Sequence, residues 1–79
     1  MHELMDRHVE ARTMTDLAGV YARHGALRSA IACYERGLAA VREVGDRHGE
    51  AQTLRDLAAM RDRAAAQDAA ARSNARTAS

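Results

Sequence analysis

A chain of 79 residues holds one domain at most, and a domain this small buries only about 60% of the surface that its unfolded form exposes. Aromatic residues make up 3% of it, with no Trp, Phe or Pro, so a thick core of rings is excluded and the Ala, Arg, Leu and Glu content favours helix over sheet. A formal net charge of +1 excludes the basic excess that drives nucleic-acid binding, and a single cysteine excludes an internal disulfide.

In chain order, the first informative block is DRHVEARTMTDLA at positions 6–18. It recurs 40 residues later as DRHGEAQTLRDLA at positions 46–58, with nine of the thirteen positions identical. Such density marks an internal repeat. Within the first copy Met14, Leu17, Ala18 and Tyr21 fall at i, i+3, i+4 and i+7 and so share one helix face. Gly25 can take the left-handed backbone that closes a helix, with His24 beside it to meet the last carbonyls. These signals predict a helix over about 7–24.

A second apolar stripe follows at Leu27, Ile31, Tyr34, Leu38 and Val41, with Ala30 and Gly37 as small neighbours, and ends at Gly45. It predicts a helix over about 27–44, folded back on the first because the connector is only two or three residues. Asp46 directly after Gly45 is suited to cap a third helix. That helix carries Leu54, Leu57 and Ala58 on the matching face, but Arg61 stands where the first copy has Tyr21 and Ala65 where it has Gly25. It is expected to run on to about residue 71, leaving 72–79 as a frayed tail without apolar periodicity.

The pattern resembles the tetratricopeptide repeats, in the long variant of about 40 residues found in kinesin light chain-like arrays. The residues that carry the resemblance are Met14, Leu17-Ala18, Tyr21, Ala30, Tyr34 and Gly37-Leu38, with Gly25 at the turn. Ala18 stands for the usual Gly, Gly37 for the usual Ala, and no proline closes the second helix. The resemblance implies an all-α fragment of a solenoid, an antiparallel helix hairpin plus a third helix. Residues 1–5 then read as the end of a preceding repeat, 6–45 as one complete helix pair, and 46–71 as the first helix of the next. Arrays of this kind are stabilised by nearest-neighbour interfaces, so an exposed apolar strip is expected near Met14, Leu17 and Val20. Self-association or upstream repeats would cover it.

The same resemblance implies a concave partner-binding face made of Arg12, Asp16, Gly19 and Arg23 in the first copy and Gln52, Arg55, Asp56, Ala59 and Arg63 in the second. Arginines among carboxylates can clamp an extended peptide or an acidic terminus by charge-assisted hydrogen bonds. Asp16 and Asp56 stand where many family members have Asn, and solvated helix charge is the alternative reading of the whole set.

Little points to chemistry. His8 and His48 are a full repeat apart with no ligand cluster around them, and they read as part of a repeated helix-start motif rather than as metal ligands. Cys33 has no activating neighbour on its own face and reads as a packed thiol. No triad spacing accompanies the carboxylates, and no cofactor motif occurs.

The expected function is therefore non-catalytic binding of a protein or peptide segment, or of neighbouring repeats. Two other readings stand beside it: the end of a larger regulator, an ATPase or transcription factor, with a capping role, and a small nucleic-acid binder using Arg55, Arg61, Arg63, Arg72 and Arg76. With no long apolar run and no secretory start, a cytoplasmic location is the expectation.

Overall fold

A computed structural model describes the backbone of residues 2–78 and the side chains of residues 5–75. Among these residues the fold is entirely helical: α1 spans His2–Arg23, α2 spans Leu27–Val44 and α3 spans Arg47–Ala78.

Both reversals use one device. Gly25 has φ 76° and Gly45 φ 73°, conformations that cost a residue with a Cβ. At the first turn the Ala26 amide donates to the Tyr21 carbonyl at 2.9 Å, and at the second the Asp46 amide donates to the Val41 carbonyl at 3.0 Å. Each bond satisfies a carbonyl that the ended helix leaves free. The His24 ring adds Nδ1 at 2.8 Å from the Val20 carbonyl, as its place in the last turn predicts.

Asp46 then starts α3. Its carboxylate accepts from the Gly49 amide at 2.8 Å, and its carbonyl accepts from the Glu50 amide at 2.9 Å. The carboxylate lies so close that a Cβ on residue 49 would overlap it. The first copy has Val9 at that place and Met5 where Gly45 stands, so α1 runs without a break across Asp6. Met1 and the side chains of residues 2–4, which belong to the segment read as a preceding repeat, lie outside the described residues.

α2 is the centre of the molecule. It packs against α1 on one side and α3 on another, while α1 and α3 barely meet. Small residues bring α1 and α2 together: Ala18 and Ala30 are fully buried, and a Cβ on Gly37 would sit 3.1 Å from Thr15 Cγ2 and 3.6 Å from the Ala11 carbonyl. Tyr34, Leu38 and Val41 of α2 join Ala11 and Ala18 of α1 and Leu57 of α3 in a single cluster, with Leu17, Tyr21, Ile31 and Met60 at its edge. No large side chain among the described residues is completely buried, which is the thin core that the composition predicts.

Ion pairs run along both seams. Arg42–Glu50 at 2.7 Å, Glu35–Arg61 at 3.0 Å and Arg28–Asp68 at 3.4 Å follow α2 and α3 in antiparallel register. Arg7–Glu43 at 2.6 Å does the same for α1 and α2. These pairs are exposed, and each contributes about 0–1 kcal/mol, so they align the helices more than they hold them.

The two repeat copies do not bury the same face. α1 turns Ala11, Met14 and Ala18 toward α2, whereas α3 turns Thr53 and Leu57, which are 4% and 3% exposed. The shared face expected for Leu54, Leu57 and Ala58 is thereby corrected: Leu57 is core, Leu54 is 41% exposed and Ala58 is open. The cause is position, since α1 and α3 approach one helix from different sides.

The third helix also continues beyond residue 71, to Ala78. Ala64–Ala66, Ala69–Ala71 and Ala75 have high helix propensity, and no Gly or Pro interrupts them. The side chains of residues 76–79, in the segment read as a tail, lie outside the described residues.

Candidate groove between the first and third helices

α1 and α3 lie on neighbouring sides of α2 without closing on each other, and the space left between them is an open groove of about 540 Å³. α1 supplies one wall through His8, Ala11, Arg12, Thr15 and Asp16; Gly49, Gln52, Thr53 and Asp56 of α3 supply the other, with Val41 and Asp46 between them.

Four of the residues expected to face a partner therefore do line one surface: Arg12, Asp16, Gln52 and Asp56. They are two pairs of repeat equivalents, since 12 and 52, and 16 and 56, differ by the repeat length. Gly19, Arg23, Arg55, Ala59 and Arg63 are not part of the lining. Arg55 stands two residues on from the buried Thr53, roughly 200° round the helix, and so points away from α2. Arg63 places its guanidinium 3.9 Å from the Met60 sulfur on its own helix.

Losing those arginines changes the electrostatics. Arg12 is the lining's one arginine, against Asp16, Asp46 and Asp56, so with His8 neutral two negative charges are left over. Asp46 spends part of its acceptor capacity on capping α3. Among the described residues Arg12, Asp16 and Asp56 enter no ion pair, so their charges face the groove. Asp56 is half-buried, and its charge reaches Tyr34. Burial, and after it that carboxylate, push the Tyr34 hydroxyl above its ordinary pKa of 10.0.

The lining is poor in reactive groups. Thr15 and Thr53 both donate back to their own helices, to the Arg12 carbonyl at 3.1 Å and the Gly49 carbonyl at 2.7 Å. Cys33 is a buried thiol in α2 and does not reach the groove. Among the described residues no three of His, Cys, Asp and Glu come together in a way that could hold a metal ion, and no helix is long and apolar enough to cross a membrane.

Sequence reasoning missed His8, Ala11, Thr15, Val41, Asp46, Gly49 and Thr53 as lining residues. The available signal was Asp46, whose position between two helices puts it at the groove's end. The apolar edge residues carry none, because their place depends on how far α3 is rotated. Comparison of the chain with protein-family models, with curated proteins and with solved structures gave no match.

Proposed function

We propose that this chain is a non-catalytic protein-binding module of tetratricopeptide type, and that an extended segment of a partner lies in the groove between α1 and α3. One observation carries the reading: the two repeat copies present their equivalent polar positions, Arg12 with Gln52 and Asp16 with Asp56, on facing walls of one groove. Side chains spaced this way can hold a peptide backbone and its charged groups from both sides.

The charge of the lining sets the kind of segment. An excess of carboxylate favours lysine or arginine in the bound peptide, where the arginine-rich face expected from the sequence would have favoured an acidic one. Fluorescence anisotropy with labelled basic and acidic peptides of equal length tests this. Basic peptides are expected to bind more tightly, and replacing both Asp16 and Asp56 by Asn is expected to weaken binding at least about tenfold, near 1.4 kcal/mol. Equal affinity for both peptide classes, or for parent and variant, would remove the groove as the binding site.

A further inference from the structure

The open apolar side chains of α1 are Met5, Val9 and Val20. The strip expected near Met14, Leu17 and Val20 is thereby broken up, because Met14 and Leu17 are half-buried toward α2. Charge, more than apolar surface, is what the molecule leaves unmatched.

Two places carry that charge, and their signs are opposite. The groove holds two negative charges in excess, and Asp16 and Asp56 enter no ion pair among the described residues. The far end of α3 carries the reverse. Beyond the Arg28–Asp68 ion pair, residues 69–78 include Arg72 and Arg76 and no acidic side chain. Arg72 is exposed and enters no ion pair among the described residues.

Size agrees with charge. The groove-lining stretch of α1, His8 to Asp16, is about 12 Å long, and residues 69–78 make about 15 Å of helix. Apart from the two arginines this segment is built of Ala, Ser, Asn and Thr. A helix of small side chains can approach its neighbours to about 8 Å between axes, so it is slender enough to lie between two walls. Its own groove is out of reach. The segment belongs to the helix that forms one wall, and Arg72 lies 16 positions beyond Asp56, about 24 Å along that rod.

We infer that residues 69–78 of one copy lie in the groove between α1 and α3 of a second copy, with the charges of Arg72 and Arg76 set against Asp16 and Asp56. The inference rests on the groove reading and gives the groove an occupant, a segment of this same chain. Segment and groove are different surfaces, so each contact leaves one of each free and copies join head to tail. The contact is small and polar, which sets its dissociation constant at about 10–100 µM and leaves the segment open in dilute solution.

Sedimentation velocity of the full chain over about 1–500 µM reads this association. Species larger than a dimer are expected at the upper end in about 50 mM salt, and about 500 mM salt is expected to return them to monomer. Two variants separate the surfaces. Arg72→Glu with Arg76→Glu removes the segment's charge and keeps the groove, whereas Asp16→Asn with Asp56→Asn does the opposite. Each alone is expected to associate at least about tenfold more weakly than the parent. Mixed in equal amounts, they are expected to form a one-to-one dimer with the parent's affinity and nothing larger. Circular dichroism of each variant checks that its helices persist.

A parent chain that stays monomeric throughout overturns the inference. So does association that survives Arg72→Glu with Arg76→Glu, or a pair of folded variants that fail to complement each other. If the groove takes basic peptides while the chain stays monomeric, the groove reading stands and this occupant falls. If it takes no basic peptide, both fall.

Discussion

Gly19 and Gly37 are both helical glycines, and their surroundings give them opposite roles. Nothing lies within 4 Å of a Cβ built on Gly19, whereas one on Gly37 would press on Thr15 and Met14. Gly19→Ala is therefore expected to stabilise the fold by about 0.5–1 kcal/mol, the ordinary gain of Ala over Gly in a helix. Gly37→Leu is expected to destabilise it by about 1–3 kcal/mol, because α1 cannot remain at its present distance from α2. Urea denaturation of the two variants reads both signs. At Gly49 the two effects meet: the gain in helix propensity is opposed by the loss of the Asp46 cap, each about 1 kcal/mol.

Tyr34 belongs to the same scale. Its raised pKa means that the folded chain holds the hydroxyl proton at pH values where the unfolded chain has released it. The corresponding stability is complete below about pH 10, the unfolded value, and is lost as pH climbs through the raised folded value. In melting curves between pH 8 and 12, Tyr34→Phe is expected to flatten the alkaline decline. Asp56→Asn is expected to flatten it only in part, since burial is the larger cause.

Among the elements, α3 is the one whose length exceeds its packing. Thirty-two residues make a helix of about 48 Å, against about 27 Å for the eighteen of α2, and residues 69–75 are all exposed. Ending the chain after Asp68 keeps the last ion pair to α2, with Arg28. Such a chain is expected to lose helical ellipticity but to melt within about 2 °C of the parent, because an unpacked helical end adds little to the cooperative unit. A fall of 5 °C or more would show that the distal part of α3 is packed in solution.

The elements themselves were legible because their boundaries are local. Gly25, Gly45 and Asp46 act through their own backbone or the next turn, and α2 begins and ends where its stripe and glycines place it. The start of α1 was less clear, since the repeat suggests a break at Asp6 that only a glycine at position 5 would make. Rotation of α3 was not legible at all: Leu54, Leu57 and Ala58 look equivalent to Met14, Leu17 and Ala18 until a second helix has chosen a side. The candidate site inherits that limit: of the residues expected on one face, Arg12, Asp16, Gln52 and Asp56 line the groove, and Arg55 and Ala59 do not.

At the scale of the molecule, the dimensions of 59 × 19 × 14 Å describe a slender body with one shared cluster near its middle. Among the described residues the contacts between helices run almost wholly through α2, whose two sides are occupied differently by two copies of one sequence. The arrangement explains how so little aromatic or large apolar content suffices: Ala11, Ala18, Ala30 and Gly37 substitute closeness for bulk, and the dispersion contacts that closeness brings do the work that larger side chains do elsewhere.

The near-absence of contact between α1 and α3 has a mechanical consequence. The two walls are hung from a common axle, so a small roll of either one on α2 widens or narrows the channel without tearing a direct wall-to-wall interface. Such a roll would be taken up by the flexible arginine and glutamate tips along the seams.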